Sequence, residues 1–96
     1  MNSSANDDIH AVVDTLKQRA SARGETVPAL ASVLKLVAND EPEIAIDCLI
    51  NTANAFRLPM RQDEYDRLMS AATRLEYADA VTDIEPTLLL PKLDDT

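Results

Sequence analysis

Two side chains in this sequence have the chemistry of a nucleophile and its base: one cysteine, Cys48, and one histidine, His10. A thiol nucleophile needs a base within hydrogen-bond reach and a third group that orients the base. His10 and Cys48 fall in different helical segments. Helical spacing puts His10 on a polar side and Cys48 on an apolar one, which reads as a surface histidine and a small core cysteine. A zinc site takes three or four ligands at short spacing, and the supply here is too poor. Asn39-Asp40-Glu41-Pro42-Glu43 is acid-rich but lacks the alternating oxygen ligands and central glycine of a calcium loop. Gly24 is the single glycine, too few for a loop that cradles phosphate. The Asp-Ser-Leu of small acidic carrier proteins does not occur. Many acids are available for acid–base work, and spacing selects no pair among them. The expectation is a chain without catalytic residues, metal or cofactor, and so not an enzyme.

Charge narrows the range of partners. The chain has 96 residues, with 9 Lys and Arg against 17 Asp and Glu, for a formal net charge of −8. Nucleic-acid affinity comes from clustered Lys and Arg, so no nucleic-acid partner is expected, and anionic membrane surfaces are disfavoured for the same reason. The charge serves solubility through self-repulsion, or attraction to a basic partner protein. One cysteine excludes an internal disulfide, and no basic-then-apolar leader opens the sequence. No run approaches a membrane span. A reducing cytoplasm is the expected setting.

The elements that must position any site are helical. Period-two runs of Val, Ile, Thr and aromatics are absent, and helical spacing recurs in four segments, so the fold class is all-α, a bundle of four short helices with room for a fifth. Residues 1–6 are expected as a disordered tail, 7–80 as the bundle and 81–96 as an acidic segment. The first helix spans about Asp7 to Ala20, with Asp7 or Asp8 at its start and a stripe of Ile9, Val12, Val13, Leu16 and Ala20. Gly24 ends it. The second spans about Pro28 to Ala38, with Leu30, Val33, Leu34 and Val37 inward. The fourth runs from about Arg61 to Ala78 on Tyr65, Leu68, Met69, Ala72 and Leu75. Ile84 and Leu88-Leu89-Leu90 then either pack back on the bundle or meet a partner.

The third helix has the clearest start: Asp40 as N-cap, Pro42 in the first turn and Glu43 completing an Asp version of the capping box. Ile44, Ala45, Ile46, Cys48, Leu49, Ile50, Ala53, Ala55 and Phe56 cover most of its wheel, so it is expected at the centre of the bundle. Its one route to solvent is a narrow wedge of Glu43, Asp47, Asn51 and Asn54. Asp40 and Glu41 extend that negative strip, and no Lys or Arg occurs between Lys35 and Arg57.

The stretch from Glu41-Pro-Glu-Ile-Ala-Ile-Asp-Cys-Leu49 through Phe56-Arg-Leu-Pro-Met-Arg-Gln-Asp-Glu-Tyr65 to Leu68 resembles the small helical immunity proteins of bacterial polymorphic toxin systems, of the Maf and contact-dependent growth inhibition type. It shares their acidic, proline-marked helix start, their helically spaced apolar residues, their short turn with proline and their acidic Glu-Tyr helix start. The resemblance covers roughly residues 40–75. Arg61 stands where the family often has a Ser or Thr cap, which predicts a weakly capped fourth helix. In the turn before Pro59, Ala55, Phe56 and Arg57 keep the family's aromatic and lose its acid, so a contact made there would differ.

The resemblance implies a binding inhibitor that covers the active site of one cognate toxin domain, many of which are basic nucleases. Asp40, Glu41, Glu43, Asp47, Asn51 and Asn54 are then the candidate partner-binding residues, with Asp47 central. The alternative is a non-catalytic helical adaptor or regulatory subunit of a bacterial complex, binding through the C-terminal leucines.

Overall fold

Each of the four apolar stripes becomes a helix in the computed structural model, which describes residues 3–89. The helices are α1 (Ser3–Ala22), α2 (Pro28–Ala38), α3 (Pro42–Phe56) and α4 (Gln62–Arg74), followed by the single turn α5 (Ala78–Val81) and a 3₁₀ turn at Pro86–Leu88. The protein is all-α. Among the described residues the one pairing of extended chain is an isolated parallel bridge between Met60 and Leu89.

The stripes meet in one aliphatic core. Ile9, Val12, Val13 and Leu16 of α1 pack with Leu30, Val33 and Val37 of α2, Ala45, Ile46, Leu49, Ile50 and Ala53 of α3, and Leu68, Ala71 and Ala72 of α4, and Ala20 is buried at the end of the α1 stripe. Ile46 and Leu49 are both 0% exposed. Leu58 and Met60, between α3 and α4, and Val81, Ile84 and Leu88 after α4 close the core. The Met60 N–H donates to the Leu88 carbonyl at 2.9 Å, which ties the C-terminal segment to the α3–α4 turn. Residues 90–96, including Leu90, Lys92 and Leu93, lie outside the described residues.

Three boundaries differ from the sequence reading. The expected tail at residues 1–6 is helical from Ser3, with Met1 and Asn2 outside the described residues. Ala5, 1% exposed, extends the α1 stripe one turn ahead of Ile9, which makes the earlier start favourable. Asp7 and Asp8 therefore lie inside the helix. Second, Asp40 is not the N-cap of α3: Glu41 holds that position with no side-chain cap, and the Asp40 carboxylate instead accepts from the Asn6 amide at 3.0 Å. Third, α4 ends at Arg74 rather than near Ala78, and the chain turns at Glu76 into α5.

One device stops all four long helices and displaces both Asp40 and the end of α4. Gly24, Asp40, Arg57 and Glu76 have φ of 78°, 58°, 51° and 57°, in the left-handed region. The next N–H in each case reaches back into the last helical turn: Glu25 to the Ala20 carbonyl, Glu41 to Leu36, Leu58 to Ala53 and Tyr77 to Ala72, at 2.8–2.9 Å. These are Schellman closures, which satisfy carbonyls that the helix end leaves open. Glycine adopts that conformation freely. Arg57 and Glu76 hold it against the clash of their own Cβ.

Candidate functional site

His10 is exposed on α1 and Cys48 half-buried on α3. Among the described residues no group of three His, Cys, Asp or Glu is placed to hold a metal ion. No helix among them is long and apolar enough to cross a membrane.

The polar wedge of α3 is real, but its members divide. Asp40, Glu41, Glu43 and Asn51 are exposed. Asp47 is exposed too, and its carboxylate accepts the Tyr77 hydroxyl proton at 2.5 Å. That bond raises the Tyr77 pKa above its ordinary value, with partial burial and the charges of Asp47 and Glu43 adding to it. Asn54 has a different task. Its amide nitrogen donates to the Asp83 carbonyl at 3.1 Å, and its amide oxygen accepts from the Glu85 N–H at 2.8 Å. A side chain that binds backbone at both ends is a clamp, so Asn54 pins the C-terminal segment and is not free for a partner.

The clamp and the Asp47–Tyr77 bond lay residues 76–85 along one flank of the wedge. This segment brings Glu76, Asp79, Asp83 and Glu85, all exposed, beside the acids of α3. No Lys or Arg occurs between Arg74 and Lys92, as none occurs between Lys35 and Arg57. Two acidic stretches far apart in sequence thus form one negative face. The charge run was readable in the sequence; its docking against α3 was not.

The expectation that α3 is enclosed on every side but the wedge is corrected. Ile44 is 51% exposed and Phe56 52% exposed, and Ala55 is exposed beside them. Ile44, Asp47, Cys48, Asn51, Thr52, Ala55 and Phe56 line one shallow open strip along the helix. At ~100° per residue, Ile44, Cys48 and Ala55 follow the wedge on the wheel. Nearly half the circumference of α3 is therefore solvent-facing. The physical reason is supply: α2 is its main neighbour, α1 and α5 touch it less and α4 least, and no element among the described residues covers the remaining side.

Two acids on the α1/α4 side, Asp8 and Glu64, are held by arginines. The Glu64 carboxylate, 8% exposed at its side chain, receives Arg19 at 2.5 Å, and a second guanidinium nitrogen of Arg19 donates to the Pro59 carbonyl at 2.8 Å. The other Glu64 oxygen accepts the Arg61 N–H at 2.8 Å, which caps α4 from within. The expected weak cap is thus replaced by the acid three residues on. Burial alone raises the Glu64 pKa; the hydrogen bonds from Arg19, the Arg61 backbone and Thr15, with the Arg19 charge, outweigh it and hold the group below its ordinary value. At the other end of α4, Asp8 sits 3.7 Å from Arg67 and 3.1 Å from Arg74.

No protein-family model, curated protein or solved structure matches this chain. Function therefore rests on the physical character of these surfaces.

Proposed function

We propose that this protein is a cytoplasmic, non-catalytic immunity protein that binds and neutralises a cognate toxin domain, probing a basic surface of it with the acidic face of α3 and the 76–85 segment. The observation that carries the reading is the union of two acidic stretches, each without Lys or Arg, on one side of the bundle. Charges left unpaired on a fold of net charge −8 repel one another. A basic partner relieves that repulsion and is steered in quickly. Asp40, Glu41, Glu43, Asp47 and Asn51 are the residues assigned to this contact. Asn54 supports it from beneath by holding the 76–85 segment in place. The adaptor alternative loses part of its surface, because Ile84 and Leu88 are buried in the core of this chain.

The test is co-expression with the toxin domain encoded beside this chain, scored by cell survival and by co-purification. Survival that depends on this chain, and a stable complex, are expected. Equal killing with and without it overturns the reading. Replacement of Glu43→Lys together with Asp47→Lys is expected to abolish protection while the fold persists.

A further inference from the structure

We infer that the open strip of α3 from Ile44 to Phe56 is the anchoring half of this interface, and that it seats the apolar face of a basic amphipathic helix. The inference rests on the reading of the chain as a binder of a basic protein, and adds the shape and chemistry of what is bound. Ile44 and Phe56 are the large hydrophobic side chains left exposed among the described residues, and both border the same strip. Isolated exposed apolar residues are ordinary, whereas a continuous stripe beside charges marks a contact surface. Ile44, Cys48, Asn51 and Ala55 recur at helical spacing, so the stripe is straight and runs along about 17 Å of helix, some three turns against which a second helix can lie.

Charge selects the occupant. Asp47 lines the strip itself, and Glu43 stands one turn before it on the wedge. The Tyr77 hydroxyl donates to Oδ2 of Asp47, which fixes the carboxylate beside the strip. A second copy of this chain packed parallel on the strip would bring its own Glu43 and Asp47 against these acids, and no two-fold arrangement supplies a cation opposite Asp47, since no Lys or Arg occurs between Lys35 and Arg57. An acidic or phosphate-bearing partner meets the same repulsion. A helix with Leu-like side chains on one face and Lys or Arg at its margins fills the strip and pairs with the acids together. In such an interface the apolar centre sets the dissociation rate, and the charged margin sets the association rate.

The experiment is an amide NMR titration of the whole chain with two synthetic peptides of equal charge: a Leu/Lys amphipathic helix, and the same peptide with every Leu replaced by Gln. The Leu/Lys peptide is expected to shift amides of residues 44–56 in a saturable way and the Gln peptide to bind at least about tenfold more weakly. Ile44→Gln and Phe56→Ser, both at exposed positions, are expected to keep the thermal melt and lower affinity for the Leu/Lys peptide at least about tenfold. Glu43→Lys with Asp47→Lys is expected to remove the salt dependence of association. Equal binding of the two peptides, shifts centred elsewhere, or self-association through these amides without peptide each overturn the inference. Protection of cells by the Ile44→Gln, Phe56→Ser double variant at parental level breaks this inference alone. Strip binding with no protection by the parent breaks the immunity reading alone.

Discussion

Asp8 and Glu64 on the α1/α4 side each meet arginine, whereas Glu43 and Asp47 on the α3/α5 side meet none. The residue types are the same, and their work differs. Glu64 satisfies a helix start, holds Arg19 and through it the turn at Pro59, so it joins α1, the α3–α4 connection and α4. Acids on the other side join little beyond the Asp47–Tyr77 contact. Exposed pairs such as Asp8–Arg74 contribute about 0–1 kcal/mol, while a sheltered, multiply bonded carboxylate contributes more. Three arginines thus hold α1 and α4 together on one side, while Glu43 and Asp47 on the other form no ion pair with Lys or Arg among the described residues.

The largest effect lies beneath both regions. Leu49→Ala removes a fully buried side chain of α3 and is expected to cost about 2–5 kcal/mol in denaturant unfolding, loosening both sides at once. A loss that leaves the acidic face ordered would separate the two regions more sharply than the shared core allows. Next, Glu43→Lys with Asp47→Lys is expected to weaken toxin binding by more than about 2 kcal/mol and to slow association at low salt, with stability within about 1 kcal/mol of the parent because relieved repulsion offsets the lost Asp47–Tyr77 bond. A larger loss of stability would mean that these acids serve the fold, and the contrast would fail.

Glu64→Gln is expected to show the opposite pattern: about 1–3 kcal/mol less stability and unchanged toxin binding. Its pH dependence follows from the sign of the shift. Because the folded-state pKa is lowered, the carboxylate's contribution is fully present above the ordinary glutamate value and is lost as pH falls through the lowered value. Acid melts of the parent and of Glu64→Gln should therefore converge at low pH. The smallest effects come from the helix ends. Arg57→Gly and Glu76→Gly each relieve a left-handed backbone and are expected to stabilise by about 0.5–1 kcal/mol, after the added freedom of glycine in the unfolded chain. Glu76→Gly also removes a charge from the acidic face. Its gain should exceed that of Arg57→Gly in low salt, and the difference should vanish in high salt.

Periodicity is local, and what it governs was legible. The stripes Ile9–Val12–Val13–Leu16 and Leu30–Val33–Val37 are buried where their spacing placed them, and Pro28 and Pro42 stand in first turns. The all-α class and the negative charge followed from the residues alone. Burial around the whole circumference of α3 did not, because an apolar wheel looks the same whether the side is covered by a neighbour or awaits a partner. Only the packing of the other helices around α3 decided that Ile46 is enclosed and Ile44 exposed. The same holds for Asn54, whose role as a clamp needs the backbone of Asp83 and Glu85 from beyond α4. Arg19 and Glu64 are far apart in sequence, and their bond exists because α1 and α4 lie side by side. Helical spacing is set by bonds between near neighbours along the chain. Which face stays open is set by contacts between segments that the chain order does not place together.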